Sequence, residues 1–228
     1  MRSIILIIFS VCFVSNTQAQ IYEAGIFLGG SNFIGDVGST KYIAPTKPAA
    51  GLLLKWNRSP RHSFRASVLF TELEGSDKDS DDPRRIARDY DFKNSVLEFS
   101  AGMEFTFLDF DLHSMDPQMT PYLYTGISTA RHKNYFFQNA LQTSENTYSW
   151  AYGIPMALGF KATTFRGVVL AAEIGVRYTF SDKIDGSAPD SKSLQSYSFG
   201  NLNSNDWYVF SGITVTYTFG QKPCYCDY

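Results

Sequence analysis

The chain has 228 residues, a formal net charge of −2, 16% aromatic residues and 17 glycines. So even a charge balance gives nucleic acid or an acidic membrane surface no electrostatic claim as partner, while the aromatic and glycine content favours strands and tight turns over helices. An apolar block at residues 4–14 is too short to cross a bilayer as a helix, which needs about 20 residues, and no comparable stretch recurs downstream.

Met1-Arg2-Ser3, the apolar block and Thr17-Gln18-Ala19 ahead of Gln20 read as a secretory signal over residues 1–19 with a small-residue cleavage site. Cys12 lies inside its apolar core, and Phe9-Ser10-Val11 before it match a lipidation site poorly. The exported chain then keeps only Cys224 and Cys226.

Beyond Gln20 the side chains alternate with period two over residues 22–32, 49–57, 63–74, 94–107, 121–130, 150–164, 168–180 and 207–219, the pattern of strands with one apolar face. In the fourth segment Leu97, Phe99, Ala101, Met103, Phe105 and Phe107 oppose Glu98, Ser100, Gly102, Glu104 and Thr106. The fifth, with Tyr122, Leu123 and Tyr124 in a row, leaves its facing open. The seventh is clearest: Val168, Leu170, Ala172, Ile174, Val176, Tyr178 and Phe180 share one face, and Glu173 and Arg177 lie on the other. The last is aromatic at its ends and aliphatic in its middle, as a strand crossing between two aromatic girdles would be.

Connections alternate in length. Residues 57–62 and 165–167 are tight, whereas 33–48, 75–93, 131–149 and 181–205 are long and polar, and outer-membrane barrels place short turns in the periplasm and long loops outside. Several segments run to about twice the usual ~5–6 residues of soluble strands, near the ~9–11 that cross a bilayer at a tilt. The fold expected is all-β, a transmembrane antiparallel β-barrel of about eight strands and OmpA/OmpX-like size. It spans residues 20–220 in the outer membrane, with both termini and a tail at 221–228 in the periplasm. The segment 108–119 is then an unusually long periplasmic turn.

With the apolar faces toward lipid, the lumen receives Glu23, Glu98, Glu104 and Glu173 together with Lys55, Arg65, Lys161 and Arg177. An eight-stranded barrel has room only for its own side chains, so these charges are expected to pair and plug the interior as structural groups. Glu23, Lys55, Arg65 and Glu104 fall at similar depth, which suggests a chain of salt bridges between neighbouring strands.

Catalysis on such a scaffold would need an acid-base set at the outer rim. His62 and His113 fall on periplasmic turns, and His132, near Asn134 and Tyr135, reads as a solvated loop residue. The acidic run from Asp77 through Asp82 to Arg84, Arg85 and Arg88 lacks the sixth-place Gly and closing Glu of a calcium loop and reads as a solvated loop. Asp182-Lys183-Ile184-Asp185-Gly186-Ser187 reads as a turn in which nothing demands a ligand. No phosphate loop, paired CxxC or zinc spacing is present in the sequence. The expectation is a protein without catalytic, cofactor or metal residues and without a small-molecule substrate, whose partners are outer-membrane lipids and other proteins. In the tail, Cys224 and Cys226 would form a strained, reducible ring with each other or a bridge to another chain; both remain open.

Residues 22–36 run Tyr-Glu-Ala-Gly-Ile-Phe-Leu-Gly-Gly-Ser-Asn-Phe-Ile-Gly-Asp. This resembles the opening of the PorG family, outer-membrane barrels of the type IX secretion system of Bacteroidota, with a Glu-containing strand and a Gly-x-Ser-Asn-aromatic-x-Gly-Asp run. The resemblance continues through Lys55-Trp56-Asn57, Phe99 to Phe105, Thr120-Pro121-Tyr122 and Gly153-Ile154-Pro155. It implies a non-enzymatic part of a secretion machine that anchors or organises a periplasmic ring of the lipoprotein PorK and of PorN. The residues expected to face that ring are Arg58, Arg61 and His62 on one turn, Asp109, Asp111 and His113 on the long turn, and Cys224 and Cys226 in the tail. A generic small barrel with an adhesin or membrane-stabilising role is the alternative. Within the run, Gly29, Gly30 and Gly35 would allow close backbone approach or positive φ, and Asn32 and Asp36 can bond their own turn, as a folding element.

Overall fold

Period-two alternation becomes eight long strands in the computed structural model, which describes residues 21–39, 41–112, 114, 116–165, 167–201 and 204–220. They are β1 (Ile21–Ile34), β2 (Lys47–Asn57), β3 (His62–Ser76), β4 (Asp91–Thr106), β5 (Met119–Gln138), β6 (Leu141–Thr163), β7 (Val168–Thr179) and β8 (Trp207–Gly220). Each pairs antiparallel with its sequence neighbours, and β1 closes on β8 from Ile21↔Gly220 to Ile34↔Trp207. Closure leaves no strand edge, so the barrel's backbone N–H and C=O groups find partners without water, the condition for spanning hydrocarbon.

The outward face confirms which solvent the barrel is built for. Ile26, Leu28, Leu52, Leu54, Phe70, Leu158, Ile174 and Ile213 all stand exposed, and Ile127 is 73% exposed. A continuous apolar band of this kind would aggregate in water and is satisfied by acyl chains. Aromatic pairs flank it: Tyr22 stacks on Phe219 at 5.9 Å and Trp56 lies 5.4 Å from Phe64 near the termini, while Tyr178 meets Trp207 at 4.7 Å at the opposite end. The protein is a transmembrane antiparallel barrel.

In β5 the facing follows from hydroxyl chemistry. Tyr122 and Tyr124 are both 0% exposed and turned into the lumen, where their hydroxyls reach Glu173 and Ser100, so Leu123 points outward. Gly159 makes this possible, since a Cβ there would sit 2.4 Å from the Tyr122 ring.

The segment expected as a long loop at 131–149 is instead a continuation of β5 and β6, turned at Asn139 and Ala140, both at positive φ (52° and 62°). Two consecutive left-handed residues make the tight turn whose twist matches a hairpin. The strands were hidden because this part overhangs the barrel rim and breaks the period-two alternation: Tyr135, Phe136 and Phe137 are consecutive and all buried, Phe136 against Tyr197, while none of residues 141–149 is buried. A bulge between Lys133 and Tyr135 shifts the register where the hairpin leaves the barrel.

The other long connections fold over the same mouth. Val37, Leu73, Phe92, Tyr135, Phe137 and Ile184 form one buried cluster there with Phe33, Tyr208 and Phe210. Asp77, expected in a solvated loop, is 0% exposed. It accepts from the backbone of Gly38 and Tyr90 and from Arg88, the last residue of α1 (Pro83–Arg88), and so ties two loops together. Asn32 holds the first loop through Lys41, Tyr42 and Ala44, whereas Asp36 reaches out of its own turn to Asn201. Gly29, Gly30 and Gly35 are absent from the positive-φ glycines, which are Gly38, Gly167, Gly186, Gly200 and Gly220.

Candidate functional site

All eight charged residues assigned to the lumen are buried. Arg65 grips Glu173 with both terminal nitrogens, at 2.6 and 2.8 Å, across the barrel from β3 to β7. Glu104 lies between Lys55 at 2.8 Å and Lys161 at 2.7 Å, and Arg177 donates to Glu98 at 3.1 Å. Among the described residues Glu23 forms no salt bridge with a lysine or arginine; Asn57 and Thr216 donate to it instead.

This differs from a chain of neighbouring salt bridges, although Glu23, Lys55 and Arg65 do sit side by side in register. The reason is geometric. A guanidinium fork satisfies both carboxylate oxygens when it meets the acid end-on, and only an acid on the far wall presents itself that way. Aromatic faces complete the packing, with Arg65 4.7 Å from the Tyr124 ring and Arg177 5.0 Å from Phe210. With charges neutralised in place and rings filling the space between them, the lumen is a packed core.

At the turn end, the segment after β4 folds back across the mouth. Phe110 is buried beneath it, 4.6 Å from the Lys161 ammonium, and its N–H donates to Pro60 in the β2–β3 turn. The structure brings together two of the residues expected to bind a partner: Arg61 and Asp109 form an ion pair, 49% and 71% exposed. Arg58 and His62 are exposed on the same turn. Asp111 is partly buried beside Gln118. His113, Cys224 and Cys226 lie outside the described residues, as do the signal at 1–19 and the tail at 221–228.

Two features at the loop end escaped the sequence. His132 is not solvated: it is 1% exposed on β5, with Nδ1 3.3 Å from the Lys133 carbonyl oxygen. More telling is the group formed by Asp182, Asp185 and Asp206, whose carboxylate oxygens come within 4.8 Å of one another. Asp185 and Asp206 are both 0% exposed. Asp185 accepts from the N–H groups of Asp36, Val37 and Ser187, and Asp206 Oδ2 from that of Ile184. Asp206 Oδ1 and both oxygens of Asp182 are buried and have no hydrogen-bond donor among the described residues.

Burial, then the charge of Asp185, holds the Asp206 carboxyl well above the usual range, and burial with the charges of Asp185 and Asp36 pushes Asp182 up to about 7. Burial likewise raises Asp185. Composition could not have located this group, because Asp206 lies far along the chain from its partners and only the closed loop joins them. Residues 182–187, expected as a turn, thus contribute two of the three carboxylates of this group.

Comparison with known proteins yields fold-level likeness of low identity. Ail of Yersinia pestis, solved with the heparin analogue sucrose octasulfate, is 11% identical over 89% of this chain and 100% of its own, with a TM-score of 0.48. A major outer membrane protein from Thermus thermophilus is 10% identical over 89% and 100%, with a TM-score of 0.47, and the N-terminal barrel of Pseudomonas aeruginosa OprF is 10% identical over the same shares, at 0.44. No curated protein matches the sequence. One family model, described as a domain of unknown function, DUF6089, matches residues 2–228, and the chain belongs to that family.

Proposed function

We propose that this barrel is a non-enzymatic outer-membrane component of a type IX secretion system, which anchors or organises a periplasmic ring of PorK and PorN. In this reading both termini and the short turns face the periplasm and the long loops face outward. The observation that carries it is the turn-end face. There the segment after β4 is pinned to the β2–β3 turn by Phe110, Pro60 and the Arg61–Asp109 pair, which gives a small barrel one preformed polar surface on the side where a ring would sit. The packed lumen also suits an anchor better than a pore. Family resemblance in residues 22–36 supplies the identity of the machine.

Affinity purification of the tagged full chain from mildly solubilised, cross-linked membranes tests the reading. PorK and PorN should co-purify, and Arg58→Glu with Arg61→Glu should deplete them while the barrel still inserts. Barrel recovered at normal abundance with neither ring protein would sink it. So would large, stable single-channel conductance in planar bilayers.

A second reading, a surface barrel that binds through its loops, is favoured by the overhanging hairpin, which exposes Leu141 (71%) and Tyr148 (54%) on its solvent side. Shortening the hairpin should leave secretion intact under the first reading and abolish ligand binding under the second.

A further inference from the structure

We propose that Asp182, Asp185 and Asp206 hold a hard divalent cation, calcium in first place, at the loop end of the barrel. The site lies on the mouth opposite the ring-facing surface, and its argument stands without the secretion role.

Two oxygens bonded to one calcium at about 2.3–2.6 Å lie no more than about 5 Å apart, and these three carboxylates bring their oxygens within 4.8 Å of one another. An acidic cluster alone would not make a site. Here a fully buried oxygen, Asp206 Oδ1, has no donor among the described residues, which is costly for a polar atom and costlier for a charged one. The backbone keeps the space before it open, since a Cβ on Gly35 would stand 2.7 Å from that oxygen.

Neighbouring groups orient the ligands without consuming them. N–H donors from Asp36, Val37 and Ser187 fix Asp185, and Ile184 fixes Asp206 through its other oxygen, as outer-shell hydrogen bonds fix carboxylates in metal sites. Asp182 borders an open cleft with Ser181, Lys183 and Asn205, while its two carboxylate oxygens are turned inward, buried and without a hydrogen-bond donor among the described residues.

Among the described residues no ion pair neutralises the group: Lys183 is bound to Asp190 and Arg88 to Asp77. A cation from solution therefore completes what the protein leaves unbalanced. All-oxygen donors select against zinc and copper, and magnesium, which gives up its waters reluctantly and demands a near-ideal octahedron, suits a wall of two buried carboxylates less well than calcium does. Outside the cell, weak sites with dissociation constants of about 10⁻⁴–10⁻³ M are filled.

The test is thermal unfolding and calorimetric titration of the chelator-stripped full chain in detergent micelles, with calcium chloride as the probe. Millimolar calcium should raise the unfolding temperature by several degrees and bind at one site. Asp182→Asn, at a partly exposed position, should fold normally and bind at least tenfold more weakly. Asp206→Asn should unfold without calcium at or above the wild-type temperature, because a neutral amide needs no counter-charge in that buried place, and gain nothing when calcium is added. No calcium response in the wild type, an undiminished response in Asp182→Asn, or an equal response to magnesium at matched ionic strength would overturn the assignment.

Discussion

The lumen and the loop mouth both bury carboxylates, yet they solve the problem in opposite ways. In the lumen every acid meets donors from the chain itself: Glu173 takes a guanidinium fork and a phenol, Glu104 takes two ammonium groups, and Glu98 takes Arg177 and Tyr208. At the mouth, Asp182, Asp185 and Asp206 gather with backbone N–H groups and each other, and Asp206 Oδ1 is left over. Burial of charge is common to both. What differs is the counter-charge: four cations of the chain are buried among the four lumen acids, whereas among the described residues no ion pair reaches the mouth group, so the first region reads as structure and the second as the cation site proposed above.

The same chemical change should therefore act with opposite sign in the two places. Replacing Glu173 by Gln strands the Arg65 guanidinium in a closed lumen, and breaking a buried pair from one side costs about 3–5 kcal/mol. Urea unfolding in lipid vesicles, followed by the gel shift of the folded barrel, should show a loss of that order. Asp206→Asn, by contrast, should leave the calcium-free protein no less stable. Equal losses in both variants would erase the distinction.

A smaller effect probes how the lumen pairs are braced. Tyr122→Phe removes the phenol that donates to Glu173 while the ring stays in the space left by Gly159. Hydrogen bonds to charged groups are worth about 1.5–3 kcal/mol, so this variant should lose less than Glu173→Gln in the same unfolding assay. A loss as large as that of Glu173→Gln would mean that the phenol, not the guanidinium, carries the pair.

The two regions were not equally legible. Glu98, Glu173 and Arg177 announce themselves as lumen groups because each sits between lipid-facing residues in a period-two run, and register then needs no further information. Choosing Glu173 as the partner of Arg65 requires the barrel's curvature, which sequence spacing does not carry. At the mouth the signal is weaker still. Asp182 and Asp185 look like ordinary turn formers until the loop closes and sets Asp206 against them. Lys133 to Gln138 look like loop because their three aromatic residues are consecutive and buried on both faces, so no period-two alternation marks the strand.

The smallest stability effect is expected where the functional reading is strongest, at the Arg61–Asp109 pair on the turn end. Both side chains are largely in water, and exposed pairs contribute about 0–1 kcal/mol after screening and side-chain entropy. Arg61→Ala should thus unfold within about 1 kcal/mol of the wild type. Phe110 and its backbone bond to Pro60 keep the segment after β4 in place, so the barrel should insert normally. Under the proposed role, recovery of PorK and PorN with the tagged barrel should nevertheless fall several-fold, because the guanidinium belongs to the surface proposed to face them. Unchanged recovery would show that this surface is only the underside of the fold.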